Sequence, residues 1–200
     1  MLLASLLVSV DPITIDKKPS TTQRVIVENP ATMPAHHDED AWCQIFFNCS
    51  VHLKYEIVEQ SAGDGRCFVA ARIKQVNVTL TLEDTIFLPK HGTEKLKAHE
   101  DGHRRINERV YEKAEEAARA AAREVMAKRW EGAGSDEDAA GKEATDKAVK
   151  ELCDQYLNAT AEKALRIGRK YDELTNHGRR VRPTEDEAID KAFACEPSKQ

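Results

Sequence analysis

Two histidines and a glutamate in the middle of the chain are spaced for metal-assisted hydrolysis. His99, Glu100 and His103 form the pattern H-E-x-x-H, with Gly102 directly before the second histidine. Histidines four positions apart lie on one side of an α-helix, so both imidazoles can reach a single tetrahedral ion. The intervening glutamate can then accept a proton from a zinc-activated water. The pattern therefore predicts a zinc site with His99 and His103 as ligands and Glu100 as general base, then general acid.

The surroundings of the two histidines favour this interpretation. Both lie within the apolar stripe of the expected helix, between Leu96 and Ile106. Two buried rings need polar partners, because an unpaired buried polar group costs on the order of 1–3 kcal/mol. A shared metal ion would satisfy both rings at once. The alternative is that each ring bonds separately to a backbone carbonyl or a carboxylate.

The third metal ligand must come from another part of the chain. A compact motif with a third histidine six positions further on is absent, because Ile106 and Arg109 stand where glycine and histidine are required. A second helix that returns antiparallel to the first would bring His177 back to the motif. We predict His177 as the third ligand. The alternatives are an ordinary histidine at a helix end, or a ligand drawn from His52 or His91.

Two residues shortly before His177 complete the predicted site. Tyr171 lies on the inward stripe of the second helix, where it either donates a hydrogen bond to a developing oxyanion or packs in the core. Asp172 is predicted to orient a ligand imidazole, since metal-bound histidines usually need such a partner. A fourth protein ligand from Asp172, His52 or His91 would instead close the site and make it structural.

The periodicity of apolar residues changes along the chain and predicts an α+β fold. Residues 42–88 alternate between apolar and polar side chains, which indicates a small antiparallel sheet of two or three strands. From Thr93, an N-cap residue, a helical pattern runs to about Trp130, and a second runs from about Ala139 to Leu174. We expect the sheet to be followed by a long two-helix hairpin with a zincin-like active-site helix. A coiled-coil arm is the alternative for the helices.

The predicted domain organisation has three parts. Residues 1–40 form an N-terminal extension, 41–180 a metallopeptidase-like domain, and 181–200 a polar tail that contains one short docked helix. The extension includes a short strand within RVIVENP. It opens with MLLASLLVSV, which is either a secretion-signal remnant without a preceding basic residue or a hydrophobic first strand.

Composition limits the classes of function. The 200 residues include 35 acidic and 30 basic side chains, for a net charge of −5, which does not favour nucleic-acid binding. No apolar run is long enough to span a membrane. The five cysteines form no CxxC pair, and we favour a disulfide between Cys67 and Cys153 that would tie the sheet to the second helix.

Several of these segments occur together in one recognisable set. They are residues 65–67 (Gly-Arg-Cys), the strand end at residues 88–89, the HExGH motif, Cys153, and YDxxTxHG at residues 171–178. The chain resembles, over roughly residues 45–180, a bacterial family of predicted secreted zinc-dependent proteases that contains a domain of unknown function. The resemblance implies a metallopeptidase-like fold, an extracytoplasmic location, periplasmic or secreted, and His177 as a metal-site residue.

The sequence therefore predicts a zinc-dependent peptidase with one zinc ion and a peptide or protein substrate. Two other classes of protein stay open. One is a non-catalytic module in which the metal joins the helices to the sheet, and the other is a helical interaction protein without metal. A cytoplasmic location stays open as well.

Overall fold

The computed structural model describes residues 11–29 and 41–196 of the chain. In chain order these residues form the strands and helices β1 (Ile13–Lys17), β2 (Thr21–Val27), β3 (Trp42–Gly63), β4 (Arg66–Pro89), α1 (Glu94–Tyr111), α2 (Ala114–Ala127), β5 (Arg129–Gly134), α3 (Glu137–Ala159), α4 (Ala161–Thr175) and α5 (Glu185–Ala194).

The long strand β4 organises the sheet. β3 pairs with β4 along nearly its whole length in the antiparallel sense, and the two are joined by a tight turn at Asp64 and Gly65. Both turn residues have positive φ angles, as expected of a two-residue hairpin loop. On the other side of β4, the strands β5, β1 and β2 follow one another in line.

The prediction of an antiparallel sheet is wrong for two of the strands. β1 and β2 run parallel to β4, with Ile13 opposite Val76 and Thr21 opposite Glu83. The sheet is therefore mixed, since β3 and β5 are antiparallel to β4. Alternation of side chains does not reveal strand direction, because it is the same in both orientations. Both parallel strands come from the segment that we predicted as an N-terminal extension.

One face of the sheet forms the main core. Val76, Val78, Leu80 and Leu82 are at most 2% exposed and point to the helices. The intervening residues of β4 are only partly buried and lie on the opposite face. The alternation of buried and partly buried side chains along β4 thus indicates a sheet that helices cover on one side.

The predicted two-helix hairpin is wrong because each long helix is broken. The first pattern ends at Tyr111 and resumes at Ala114, and the second is interrupted at Thr160. The hydroxyl of Thr160 donates to the carbonyl oxygen of Tyr156 at 2.7 Å. The apolar stripes continue through both breaks, and neither break contains glycine or proline, so nothing in the sequence marked them.

The glycines and acidic residues after Trp130 predict a loop between the two helices. The structure instead forms β5 there, and β5 also includes Arg129 and Trp130, which we placed at the end of the first helix. Its Trp130 is buried, and the indole nitrogen donates to the carbonyl oxygen of Val125 at 2.9 Å. A Cβ at Gly132 would lie 2.0 Å from the carbonyl oxygen of Ala140. The glycine that suggested a loop therefore permits close approach between the strand and α3.

The predicted disulfide between Cys67 and Cys153 is not formed. All five cysteines are free thiols, and Cys67 lies at the turn end of β4 opposite Ala62. Cys153 instead contacts the backbone of Cys49, which pairs with Leu80 much further along β4.

The two ends of the chain are described only in part. The predicted signal remnant at residues 1–10 lies outside the described residues, as do residues 30–40 and 197–200. Within the predicted tail, α5 packs against the core through Ala188, Ile189 and Ala192. No helix in the described ranges is both long and apolar enough to cross a membrane.

Candidate metal centre

Helix α1 presents the H-E-x-x-H residues from one continuous stretch of helix. Its N-terminus is capped as predicted, because the hydroxyl of Thr93 accepts a hydrogen bond from the backbone nitrogen of Leu96 at 3.1 Å. The rings of His99 and His103 lie 5.0 Å apart, at an angle of 85°. His99 and Glu100 are both buried within the fold.

Helix α4 supplies a carboxylate to both histidines. One oxygen of Asp172 (Oδ1) lies 3.1 Å from Nε2 of His99 and 2.9 Å from Nε2 of His103. The donor atoms of these three residues all lie within 4.8 Å of one another, which is close enough to hold one metal ion. Asp172 belongs to this group of donor atoms, and His177, which we predicted as the third ligand, does not.

Electrostatics keep Asp172 ionised. Burial raises the pKa of its carboxyl group, but hydrogen bonds with His103 and His99, and their charges, outweigh burial and hold the pKa far below its usual range. A permanently charged carboxylate between two imidazole nitrogens attracts a cation, whether that cation is a proton on each ring or a metal ion.

The second ring nitrogen of His99 is oriented by Thr175. The Thr175 hydroxyl donates its one hydrogen to the carbonyl oxygen of Tyr171 at 2.8 Å. Its oxygen lies 3.4 Å from Nδ1 of His99 and can accept a hydrogen bond only if Nδ1 is protonated. In the neutral ring this places the lone pair on Nε2, the atom that faces Asp172.

Tyr171 is part of the packing beneath the histidines. Its ring stacks on His99 with centroids 4.9 Å apart and meets His103 edge-on. The side chain is fully buried, and its hydroxyl donates to the backbone carbonyl of His99 at 3.4 Å. Burial raises the pKa of Tyr171, so the hydroxyl keeps its proton. This position supports the packing alternative rather than contact with a substrate oxyanion.

A cavity of about 660 Å³ opens beside the histidines. Both histidines, Glu100 and His177 line it, as does His91 in the segment that leads into α1. His177 is exposed on the cavity wall but does not belong to the group of three donor atoms. His52 lies on β3, opposite Asn77, and does not border the cavity.

A second, smaller cavity of about 250 Å³ reaches the same residues from the other side. Glu100, His103 and Asp172 line it together with Asn107 of α1 and Gly168 of α4. Glu100 thus borders open space on both sides of the histidines, although the residue itself is only 4% exposed.

The donor set fits a zinc ion. Ligand atoms at 2.0–2.2 Å from a tetrahedral ion lie about 3.3 Å apart, close to the two distances from Asp172. Catalytic zinc sites usually have three protein ligands and one open position. Two imidazoles and one carboxylate beside a cavity match that arrangement. The same spacing suits hydrogen bonds from protonated imidazoles, so a metal-binding measurement must distinguish the two.

The sequence identified most of these residues but not all of their roles. His99, Glu100 and His103 followed from the motif, whereas Asp172 was predicted only to orient a ligand or to act as a fourth one. The contribution of Thr175 was missed, although its position within YDxxTxHG could have suggested it.

Three comparisons with known proteins give no match, so the functional interpretation depends on the geometry of the site. No family model, curated protein or solved structure matches this chain.

Proposed function

We propose that the protein is a zinc-dependent peptidase in which His99, His103 and Asp172 bind one zinc ion. The proposal is carried by the convergence of the three donor atoms beside Glu100 and an open cavity. The combination of HExGH with YDxxTxHG, which resembles secreted zinc proteases, supports it. We extend the proposal to a peptide or protein substrate and an extracytoplasmic location.

The roles of the residues follow from their positions. Zinc, when bound, would act as a Lewis acid that polarises the scissile carbonyl group and makes water more acidic. Glu100 accepts the proton of the attacking water and passes it to the departing amine. Asp172 offsets part of the positive charge and fixes the distance between α1 and α4. His177 remains a predicted residue of the site, on the cavity wall.

The Glu100→Gln variant tests the catalytic role. We expect zinc content and fold to be unchanged, while hydrolysis of a mixed library of quenched fluorescent peptides falls by about 100-fold or more, since general acid–base catalysis contributes about 10²–10⁴-fold. Glu116→Gln, on an exposed position of α2, is the matched control and should retain full activity. Equal turnover by Glu100→Gln and wild type would contradict the proposed mechanism.

The assignment of ligands is tested by measuring zinc content and zinc binding. Untagged protein should contain one zinc ion by elemental analysis. We expect Asp172→Asn to weaken zinc binding more than His177→Ala, because only Asp172 lies among the three donor atoms. The opposite order would show that His177 is the third ligand, as the sequence first suggested.

The second candidate function is a non-catalytic metal-bound module. It is favoured by one observation, that the donor group joins α1 to α4 next to fully buried residues such as Tyr171. In that case zinc removal would lower the unfolding temperature, while wild type and Glu100→Gln would be equally inactive on the peptide library. Protein that binds no zinc would instead favour a helical interaction protein.

A further inference from the structure

Two cysteines meet where the sheet contacts a helix, away from the metal centre. Cys49 lies in β3 and Cys153 in α3, and both are partly buried. The thiol of Cys153 donates to the carbonyl oxygen of Cys49 at 3.4 Å. The side chain of Cys153 therefore lies against the backbone of Cys49 on the facing strand. A thiol this close to the backbone of a second cysteine on a facing element brings the two side chains near the range in which a disulfide can form.

The contact makes the two thiols unequal. The hydrogen bond from Cys49 lowers the pKa of Cys153, because it stabilises the thiolate, and this outweighs the effect of burial. The same hydrogen bond, together with burial, raises the pKa of Cys49. Cys153 is therefore the better nucleophile of the pair, and Cys49 is placed to resolve an intermediate formed on Cys153.

We propose that Cys49 and Cys153 are a redox-active pair that forms a disulfide between β3 and α3. The oxidant is a small-molecule disulfide. The Cys153 thiolate attacks one sulfur of that molecule, which forms a mixed disulfide and releases one small thiolate. Cys49 loses its proton to solvent and attacks the sulfur of Cys153, which releases the second small thiolate. The protein loses two electrons and two protons, and the small disulfide is reduced to two thiols.

The other cysteines are poorly placed to compete. Cys67 pairs with Ala62 and lies thirteen positions before Leu80, the residue opposite Cys49. At about 3.3 Å per residue this is about 40 Å of strand, far beyond the 7 Å limit for a disulfide. Cys43 is six positions from Cys49 in the same strand, about 20 Å away. The structure thus favours Cys49 over Cys67 as the partner of Cys153.

The disulfide would affect folding rather than the peptidase chemistry. It would connect β3 to α3 across about 100 residues of sequence and so restrict the unfolded chain. Neither cysteine borders the cavities beside the histidines. This inference is independent of the proposed function, and its test does not depend on zinc or on hydrolysis.

The test is disulfide mapping of the full chain after equilibration with reduced and oxidised glutathione. Free thiols are alkylated, the protein is digested with chymotrypsin without reduction, and the peptides are identified by mass spectrometry. Chymotrypsin cleaves after Phe47 and so separates Cys43 from Cys49. A trypsin digest would leave these two cysteines in one peptide. We expect a linked pair of peptides containing Cys49 and Cys153, with Cys43, Cys67 and Cys195 alkylated.

Single variants supply the matched controls. Oxidation should raise the unfolding temperature of wild type and Cys67→Ser by several degrees, and this rise should be absent in Cys153→Ser. A link from Cys153 to Cys67, or full alkylation of both Cys49 and Cys153 in oxidising buffer, would overturn the proposal. The mapping uses wild-type protein, so it remains decisive if a variant fails to fold.

Discussion

Four of the five residues that the YDxxTxHG motif specifies are placed around one imidazole, that of His99. Tyr171 stacks on the ring of His99, Asp172 faces its Nε2, and Thr175 faces its Nδ1. Gly178 lets the chain pass so close that a Cβ there would lie 2.8 Å from Cβ of His99. The segment therefore defines the position, tautomer and charge environment of the His99 ring.

Thr175 offers a test of this arrangement at the residue scale. Thr175→Val keeps the shape of the side chain but removes the oxygen that accepts the Nδ1 proton of His99. We expect zinc affinity to fall about 10–100-fold, the usual effect of losing a hydrogen bond behind a ligand histidine. Competition with a chromogenic chelator measures this change. Thr175→Ser, which retains the hydroxyl, is the control; equal losses in both variants would indicate that packing alone matters.

At the scale of elements, the site depends on how closely α1 and α4 cross. A Cβ at Gly102 would lie 2.2 Å from the hydroxyl oxygen of Tyr171, and one at Gly168 would lie 3.3 Å from Nδ1 of His103. The glycines thus let Asp172 reach both histidines across the crossing. The close approach at Gly102 explains why the small residue in HExGH matters, although Gly102 provides no ligand.

The Gly102→Ala variant tests the helix crossing. Alanine is the better helix former by about 1 kcal/mol, so an unopposed substitution would stabilise the protein. The clash with buried Tyr171 should reverse the sign, because overpacking costs about 1–3 kcal/mol. We expect a lower free energy of unfolding in urea and weaker zinc binding. Gly63→Ala, where nothing lies within 4 Å, is the control. A gain in stability for Gly102→Ala would contradict the tight crossing.

The elements also show what could be read from the sequence. The cap at Thr93, the H-E-x-x-H face and the alternation along β4 depend on local spacing, and each was predictable. That Asp172, and not His177, joins the group of three donor atoms was not predictable, because it depends on the direction that the chain takes after α4. After Thr175 the backbone turns into the left-handed region at residues 176–178, which carries His177 out to the cavity wall. Asp172, Gly168 and Thr175 share the face toward α1.

At the scale of the whole molecule, the parallel strands give the site its location. Because β2 runs parallel to β4, their carboxyl ends meet at one edge, where Val27 and Pro89 line the larger cavity. The chain then enters α1 within a few residues. Strand β2, which the sequence alone placed outside the domain, therefore forms part of the cavity wall. Strand direction depends on long-range pairing, so periodicity could not reveal it.

Strand β4 also carries a buried carboxyl group, that of Asp84. Asp84 of β4 is 1% exposed, and its Oδ1 accepts a hydrogen bond from the Asn107 amide at 2.7 Å. Its other oxygen, Oδ2, has no hydrogen-bond partner among the described residues. Burial raises the pKa of Asp84 to about 6. The fold thus contains a carboxylate that is destabilising at neutral pH. It lies next to Asn107, which lines the smaller cavity.

This pKa predicts a pH dependence of global stability. Below about pH 4 the carboxyl group is protonated in both the folded and the unfolded chain, so it has no destabilising effect. As pH rises towards about 6, the unfolded chain releases the proton first, and the folded protein loses stability. Asp84→Asn keeps an acceptor for Asn107 and cannot ionise. We expect the variant to be more stable than wild type by about 1–3 kcal/mol at about pH 7.5, with the difference vanishing near pH 4. Urea unfolding of both proteins across this range measures the difference. A constant difference would show that folding does not raise the pKa of Asp84, and an inverted difference would show that the ionised carboxylate stabilises the fold.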